Sequence, residues 1–564
     1  MYKGTGVSRG LAIAKALVIS NQEVSVKNYK VEDVKAESQR VSLAFHKAKL
    51  EIEEFLMTLT NEEEKSIIST QLLMLQDPEV LKEIEIYIKE NSVNAESAID
   101  NILDKYIAIF EQMHNDYMSQ RSVDIRDIKT RILLTMTRKN RIEAIELEHD
   151  CIIVADEILP SYMTQLDQAK VVGFISSKGG VNSHSSIIAR SMQKPMIIGM
   201  KNAVNELKTD DMLAIDGAKG LLYVNPEEDV INDFKEQIKA KKIERELLRS
   251  LPDITATKDS HHIGLYANIG SIEDAKHAAE NKAEGIGLFR TEFIYLNQTE
   301  LPSEQHQYKI YKSVLKLMKG KEVVIRTVDL GADKKLGYID IPEEENPFLG
   351  LRGIRLCLVK KDMFKTHLRA LLRASMHGDM KIMYPMISSL EELKMANEIL
   401  KECMIELDEE GVPYKRNIKV GMMVEVPSAA INSDILAKHT DFFSIGTNDL
   451  IQYTVAVDRM NEQLLKLYSP YELAVLRLIK LTAENAHKNK IPVSICGEAA
   501  SEEALLPLFL AMGIDSLSMS AGEILPLRKK VAEFQIKDLK NITQELMSFE
   551  NSEEIKNHLK KYMR

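Results

Sequence analysis

Eight short apolar runs recur between residues 265 and 519 of this 564-residue chain, and stretches of helical periodicity separate most of them. Parallel strands need a long crossover connection, which is usually a helix, so this alternation predicts repeated strand–helix units. Eight such units predict a (β/α)₈ barrel, known as a TIM barrel. The runs cover residues 265–268, 285–289, 323–325, 382–385, 422–424, 442–445, 493–495 and 517–519.

Polar side chains directly follow several of these runs. All the strands of such a barrel end on the same face, and the reactive residues of known barrels gather there. We therefore predict that these side chains lie close together at the carboxyl end of the barrel. They are Arg290, Arg326, Glu425, Asn448, Asp449, Cys496 and Glu498.

A second candidate site lies before the barrel, at His184. Two glycines allow a tight turn ahead of it, Asn182 or Ser183 can cap a helix, and an apolar face begins at Ile187. His184 therefore falls in or near the first turn of a predicted helix, where free N–H groups and the helix dipole favour a phosphate. Its imidazole can accept a phosphoryl group and release it again, although the same pattern also fits a histidine that only caps a helix.

The first half of the chain combines two patterns. Residues 1–22 and 146–228 contain short apolar strands separated by turns, which predicts a single small α/β domain built from both segments. Residues 23–145 keep mostly to helical spacing, which predicts an inserted bundle of about four antiparallel helices. The last two of these helices are predicted over residues 95–118 and 122–138.

The remaining boundaries follow from a charged helical stretch that ends before Pro252. We interpret residues 229–258 as a linker, which leaves residues 259–564 for the barrel. The overall prediction is a multidomain α/β fold, with the helical insert nested in the domain that carries His184. A hinge in the linker would allow that domain to swing between two partners.

Composition excludes several classes of function. The net charge of −11 argues against a nucleic-acid groove. The four cysteines form no C-x-x-C pair, and no apolar run approaches the length of a membrane span, so we predict a cytoplasmic protein. Residues 31–145 hold 22 acidic and 15 basic side chains, a net charge of −7 that suits a basic protein partner.

The segment around His184 resembles a known signature. Its pattern Gly-Gly-x-x-Ser-His-x-x-Ile-x-Ala-Arg is similar to the phosphohistidine motif of the phosphoenolpyruvate-utilising family. The opening residues 4–10 and at least five motifs after residue 285 resemble the enzyme I group of that family. The resemblance implies that His184 takes the phosphoryl group of phosphoenolpyruvate and passes it to a histidine of the small phosphocarrier HPr, in the first step of sugar uptake. It also implies that the helical insert docks HPr and that the barrel forms a homodimer.

The resemblance further implies how phosphoenolpyruvate is bound. A guanidinium suits this ligand because its planar fork pairs with phosphate or carboxylate through two hydrogen bonds. The residues that match the substrate-binding positions of the group are Arg290, Arg326, Arg352, Asn448 and Arg459.

A metal ion and a proton donor are implied in the same way. Glu425 in Met-Val-Glu-Val-Pro and Asp449 in Gly-Thr-Asn-Asp-Leu match ligands of Mg²⁺, an ion usually held by one or two carboxylates together with substrate oxygens and waters. Cys496 in Ser-Ile-Cys-Gly-Glu matches the cysteine that protonates the enolate carbon once the phosphate has left. An ordinary cysteine thiol has a pKa of about 8.5, so it is mostly protonated at neutral pH.

Several positions depart from the pattern of the family, and some alternatives stay open. Dikinases and synthases of the family need a nucleotide-binding domain ahead of the histidine, for which the 178 residues before Gly179 leave no room. A paralogous phosphotransferase with a specialised carrier is one alternative. A regulatory protein that senses phosphoenolpyruvate without turnover is another, although a sensor would not need Cys496. The departures are Arg9, Ser177, Lys178, Val181, Asn182 and Met460.

Overall fold

The structure, a computed structural model, describes residues 1–19, 26–58, 72, 74–112, 116–136, 149–156, 158, 170–178, 186, 189–190, 192, 194–200, 203–296, 298, 300–332, 336–459, 461, 463–546 and 548–563. The chain forms two compact units, Met1–Glu244 and Arg245–Arg564. Each unit has hydrophobic cores of its own. The predicted class of fold, a multidomain α/β chain with a helical region and a parallel barrel, is confirmed.

The first unit contains a mixed sheet whose strands are far apart in the sequence. Its described strands are β1 (Tyr2–Lys3), β2 (Thr5–Ser8), β3 (Leu11–Ile19), β4 (Cys151–Ala155), β5 (Val171–Ser176), β6 (Met196–Ile198), β7 (Met212–Asp216) and β8 (Leu221–Val224). Their order across the sheet is β1-β8-β7-β3-β4-β5-β6-β2. The strands β3 to β6 are mutually parallel, and the other pairs are antiparallel.

Helices occupy the chain between β3 and β4. In the first of them Val41, Phe45 and Ile52 recur at helical spacing and are buried, which gives the helix an apolar stripe to pack against its neighbours. The helix Pro78–Asn91 is capped by the side chain of Asp77 and has Pro78 at its first position. The described helices outside the barrel are Val34–Thr58, Pro78–Asn91, Ala95–Gln112, Asp116–Met136, Ala203–Glu206 and Glu228–Arg249.

The predicted boundary between the third and fourth helices is wrong. The fourth helix begins at Asp116, so Ser122, which the sequence predicts as its start, lies inside it. Serine often caps a helix, but Ser122 is buried in this one, as is Asp127. Polar side chains on a buried helical face therefore interrupt the apolar periodicity without ending the helix.

The second unit is built on a parallel barrel, and all eight predicted apolar runs are strands of it. They are β9 (Gly264–Ile269), β10 (Gly285–Arg290), β11 (Glu322–Arg326), β12 (Asp379–Tyr384), β13 (Lys419–Val424), β14 (Phe443–Ile445), β15 (Val493–Ile495) and β16 (Ser516–Met519). Each strand pairs with the next in the sequence, and β16 pairs with β9 to close the barrel.

Most of the helices of this unit connect successive strands. Two begin with a reciprocal cap, in which Ser271 and Asp274, or Ser389 and Glu392, satisfy each other's free N–H groups. No helix in the described parts of the chain combines the length and apolar character needed to cross a membrane. The described helices of the unit are Ile272–Glu280, Glu292–Leu296, Glu304–Leu317, Ile354–Val359, Lys361–Ala374, Leu390–Glu409, Pro427–Ile431, Ser433–Leu436, Thr447–Val455, Leu473–Lys488, Leu506–Ala511, Ala521–Val531, Ile542–Leu546 and Ser552–Leu559.

Alternate residues of the barrel strands face opposite sides of the sheet. Outward-facing side chains pack against the helices in the main core, and a separate small cluster faces the inside of the barrel. Gly421 makes room for one member of this cluster, because a Cβ atom at this position would clash with the ring of Phe442. The cluster comprises Leu288, Val324, Met383, Met423, Phe442 and Cys496.

Gly421→Ala tests this packing. We expect the variant to lose about 1–3 kcal/mol of stability, because the added methyl group must displace the Phe442 ring. Gly522→Ala, in the helix Ala521–Val531, is the matched control, since a Cβ atom there meets open space. Urea unfolding followed by far-ultraviolet circular dichroism measures both variants. Equal unfolding midpoints for Gly421→Ala and the unsubstituted protein would show that the interior is not filled in this way.

Candidate active site at the carboxyl end of the barrel

Polar residues predicted to follow the barrel strands lie together at the carboxyl end of the barrel. Arg290 and Arg326 are the last residues of β10 and β11, and Glu425 follows β13 directly. The helix that begins after β14 carries Asn448 and Asp449 in its first turn. Strand ends and helix starts therefore position these side chains.

Asp329 joins two buried arginines of this site. Its Oδ2 atom lies 3.1 Å from a terminal nitrogen of Arg326 and 3.1 Å from a terminal nitrogen of Arg352. Its Oδ1 atom accepts a further hydrogen bond of 3.4 Å from the Nε atom of Arg352. All three side chains are almost fully buried, and a buried charge needs such a partner because it has lost its contact with water.

Arg352 is held on a second side by Asp449. The two groups form two contacts of 3.1 and 3.3 Å, and Arg352 also donates to the hydroxyl of Tyr453 at 3.1 Å. Burial alone would lower the pKa of Arg352, but Asp329 and Asp449 outweigh burial and raise it above its ordinary value. The guanidinium is therefore charged and fixed in direction.

Arg326 has a second carboxylate partner of its own. Its Nη2 atom donates to Oε1 of Glu292 at 2.6 Å, and Glu292 is 1% exposed. Thr291 also donates a hydrogen bond of 2.8 Å from its hydroxyl to the backbone oxygen of Arg326. Glu292 and Asp329 thus hold the guanidinium of Arg326 from two directions.

Glu425 is buried beside these ion pairs. Its Oε1 atom accepts a hydrogen bond of 2.6 Å from the backbone N–H of Met386. Burial, and then the nearby carboxylates of Asp449 and Asp329, raise the pKa of Glu425 to about 8. The guanidinium groups of Arg326 and Arg352 oppose this rise in pKa but do not outweigh burial and the two carboxylates.

Two unusual backbone positions bring these groups together. Gly331 has a φ of +108°, and a Cβ atom there would clash with the backbone oxygen of Leu351 and lie 2.8 Å from Cα of Arg352. Met386 has a φ of 56° although it is not glycine, and its N–H is the one that meets Glu425. Glycine adopts a positive φ without strain, whereas Met386 pays about 1–3 kcal/mol for it, a cost that persists where the surrounding contacts require the conformation.

Cys496 is the first residue after β15 and lies on the inner side of the barrel. Its N–H donates to the backbone oxygen of Ile445 at 3.0 Å, and its Sγ atom lies 3.6 Å from the same oxygen. Burial raises the pKa of the thiol to about 11, against the opposing effect of the Ser444 hydroxyl. The thiol is therefore protonated at neutral pH.

The other predicted substrate residues are held more loosely. The amide of Asn448 donates to Glu498 at 3.0 Å and accepts from the backbone N–H of Glu498 at 2.9 Å. Within the described part of the barrel, the guanidinium groups of Arg290 and Arg459 have no hydrogen bond or ion pair. Among the described residues, both cations therefore lack the carboxylate partners that hold Arg326 and Arg352.

His184 lies outside the residues that the structure describes, and so do the departures at Val181, Asn182 and Met460. The part played by His184 stays a prediction. The chain around it belongs to the first unit, whereas the arginines, carboxylates and thiol described above belong to the second.

Sequence reasoning missed two acidic residues of this site. Glu292 comes two residues after Arg290, and Asp329 comes three residues after Arg326. Each lies just beyond a strand end, which is the signal that selected the other residues. An acidic residue near an arginine is more often a surface ion pair, and only the burial of these two shows otherwise.

The assembled site suits a small ligand that carries several negative charges. Two arginines are fixed by buried carboxylates, and two more have no partner among the described residues. Cys496, close to them on the inner face, can donate a proton. The arrangement can therefore bind a compact anion and protonate a carbon or oxygen atom of it.

Three descriptions of known protein domains match successive parts of this chain. "PEP-utilising enzyme, N-terminal" matches residues 3–121, and "PEP-utilising enzyme, mobile domain" matches residues 147–220. "PEP-utilising enzyme, PEP-binding domain" matches residues 244–536, which include every predicted site residue except His184. PEP stands for phosphoenolpyruvate.

Named proteins are similar to nearly the whole chain. The phosphoenolpyruvate-protein phosphotransferase of Priestia megaterium is 42% identical over 557 residues, which are 98% of this chain and 97% of that protein. The protein of the same name from Bacillus subtilis strain 168 is 41% identical over 557 residues, which are 98% of each chain. Since the matched regions include the barrel site and the segment around His184, this chain belongs to the family of phosphoenolpyruvate-utilising enzymes.

Proposed function

We propose that this enzyme transfers the phosphoryl group of phosphoenolpyruvate to His184 and then to a histidine of the phosphocarrier HPr, with release of pyruvate, in the first step of sugar uptake. The observation that carries the proposal is the buried network that Arg326 and Arg352 form with carboxylates at the end of the barrel. Relatives named phosphoenolpyruvate-protein phosphotransferase, similar over almost the full length, support the same chemistry.

Phosphoenolpyruvate carries a phosphate, a carboxylate and an enol oxygen, so its site needs several cations. Arg326 and Arg352 are fixed before the ligand arrives, which reduces the reorganisation that binding requires. We propose that Arg290 and Arg459 pair with the ligand directly, since neither has a partner among the described residues. Asn448 donates one amide hydrogen to Glu498 and offers the other to the phosphate.

The charge of the site supports a magnesium ion at Glu425 and Asp449. Two guanidinium groups are paired in the buried cluster, against four carboxylates, so a divalent cation would balance the surplus negative charge. The four carboxylates are Glu292, Asp329, Glu425 and Asp449. Carboxylate oxygens are also the ligands that Mg²⁺ prefers. A bound ion would neutralise charge on the phosphate and carboxylate of the substrate.

We propose that Cys496 supplies the proton that completes the reaction. Loss of the phosphoryl group leaves the enolate of pyruvate. The S–H bond of Cys496 breaks as a C–H bond forms at C3 of the enolate, and the thiolate then takes a proton from water. A thiol with a pKa of about 11 supports this role because it stays protonated until a stronger base is formed.

We assign the parts of the chain to this reaction as follows. His184 must meet the bound phosphate in line and afterwards meet the histidine of HPr, and movement of its domain on a linker would allow both encounters. The proposed division is residues 1–22 with 146–228 for the histidine domain, 23–145 for the carrier-binding insert, 229–258 for the linker and 259–564 for the barrel.

The partners of the enzyme are part of the same proposal. The helical insert carries a net charge of −7 over residues 31–145, and Leu43 and Leu50 are exposed two turns apart on one of its helices. The negative charge of the insert as a whole supports a small basic protein such as HPr as the partner, and the two exposed leucines would add apolar contact. A homodimer formed through the barrel, in the cytoplasm, follows from the resemblance to enzyme I.

His184→Ala should abolish labelling of the protein by phosphoenolpyruvate that carries radioactive phosphate, because the acceptor nitrogen is lost. His149→Ala is the control, since this exposed histidine belongs to the same unit. Acid-labile label is measured after a short incubation with Mg²⁺. Label that persists in His184→Ala and maps to another histidine would refute the proposed acceptor.

Cys496→Ala should retain one round of phosphorylation but form pyruvate about 10²–10⁴ times more slowly in steady state, because general acid catalysis is lost. Cys403→Ala, which removes a different buried thiol, should behave like the unsubstituted enzyme. Rapid quenching measures the first step, and a coupled assay measures pyruvate. An unchanged rate of pyruvate formation would remove Cys496 from the mechanism.

Glu425→Gln should raise the Mg²⁺ concentration needed for half-maximal phosphorylation by about tenfold or more. Residues that only hydrogen-bond to a metal ligand contribute about 10–100-fold to metal affinity, so loss of a charged ligand should cost at least as much. Asp441→Asn is the control, because Asp441 pairs with Lys419 at the start of β13, away from the site. Calorimetric titration of Mg²⁺ in the presence of phosphoenolpyruvate gives an independent measurement. Identical titrations of Glu425→Gln and the unsubstituted enzyme would contradict the assignment.

A further inference from the structure

Asn268, near the end of β9, uses its whole side-chain amide to connect three strands. Its Nδ2 atom donates to the backbone oxygen of Cys496 at 3.0 Å and to that of Ser518 at 3.2 Å. Its Oδ1 atom accepts a hydrogen bond of 2.7 Å from the Ser518 hydroxyl. The two carbonyl oxygens can only accept, so the amide has a single orientation that satisfies all three contacts.

These contacts span β16, because Cys496 follows β15 and β16 lies between β15 and β9. Small residues leave the room for them. Ser518 is fully buried and has a short side chain, and a Cβ atom at Gly287 on the neighbouring β10 would lie only 2.5 Å from its Oγ atom. The inner face of the barrel is therefore shaped to admit the Asn268 amide.

Cys496 is held by its backbone from three sides. Its N–H donates to Ile445, its C=O accepts from Asn268, and the next residue, Gly497, packs so closely on Thr447 that a Cβ atom there would clash. With both peptide groups of Cys496 fixed, the direction of its thiol depends on rotation about a single side-chain bond. The N–H of Cys496 is bound to backbone, whereas its carbonyl is bound to a side chain, that of Asn268.

We propose that Asn268 is a positioning residue for Cys496, which it holds so that the thiol meets one face of the enolate at C3. The inference rests on the proposed role of Cys496 as proton donor. Asn268 takes no part in the bond changes: the S–H bond of Cys496 breaks, the C3–H bond of pyruvate forms, and water restores the thiol. Without Asn268 the carbonyl of Cys496 loses its partner inside the barrel, and the peptide can rotate away.

Asn268→Leu tests the proposal, because leucine has a similar shape but no donor. We expect steady-state pyruvate formation to fall about tenfold or more, within the range that a proton donor contributes. Affinity for phosphoenolpyruvate and the rate of the first phosphorylation should stay within about twofold, a split that a general loss of structure would not give. Ser518→Ala, which removes only the hydroxyl that orients the amide, should produce a smaller fall in the same direction and serves if Asn268→Leu does not fold.

The double variant Asn268→Leu/Cys496→Ala identifies the route of the effect. If Asn268 acts through the thiol, Asn268→Leu should slow pyruvate formation no further once Cys496 is alanine. Multiplied effects of the two substitutions would overturn the proposal.

Stereochemistry gives a readout that does not depend on the amount of folded protein. Phosphoenolpyruvate labelled with deuterium on one side of C3 and turned over in tritiated water yields pyruvate with a chiral methyl group. The unsubstituted enzyme should protonate one face, Cys496→Ala should protonate both, and Asn268→Leu should lose part of the selectivity. Full selectivity and rate in Asn268→Leu would refute the inference alone. Full selectivity and rate in Cys496→Ala would instead refute the proton donor on which it rests.

Discussion

The carboxylate of Asp329 lies between two buried guanidinium groups, and much of the site depends on it. Removing one partner of a buried ion pair costs about 3–5 kcal/mol, because the other charge stays behind without water. Here one carboxylate serves both Arg326 and Arg352. Arg352 in turn fixes Asp449, which is a proposed metal ligand. The position of Asp449 therefore depends, through Arg352, on Asp329, which has no proposed contact with the substrate.

The inside of the barrel explains why these charges lie at one end only. Below the site, the inner face is filled by an apolar cluster and by the ring of Tyr266, whose hydroxyl is so buried that its pKa rises well above the ordinary value. Gly264 lies against this ring and leaves room for it, because a Cβ atom at this position would come within 2.9 Å of the ring. A polar ligand therefore has access from the carboxyl end, where Arg290 and Arg459 have no partner among the described residues.

The barrel was predictable from the sequence because strands buried on both faces appear as continuous apolar runs. The polar ends of those runs were predictable for the same reason. Contacts between distant residues were not. Asn268 is the last residue of a predicted apolar run and lies 228 positions from Cys496 in the chain. Its amide reaches the Cys496 carbonyl because β9 closes the barrel onto β16, which the sequence does not show. Likewise, burial distinguishes Asp329 and Glu292 from ordinary surface acids. In the helical region, periodicity predicted the helices but not the start at Asp116.

The placement of the helices between β3 and β4 has a consequence for the order of events during synthesis. β3 has no partner until the chain has passed Ala155, and its other neighbour, β7, ends at Asp216. The helices contact one another over shorter distances in the sequence, so they can form before the partners of β3 have been synthesised. An apolar strand without partners invites pairing with other chains, and a charge in its middle opposes that association. Lys15 provides such a charge on the nascent chain, and in the finished sheet its ammonium group lies 3.1 Å from Asp210, which is made almost two hundred residues later.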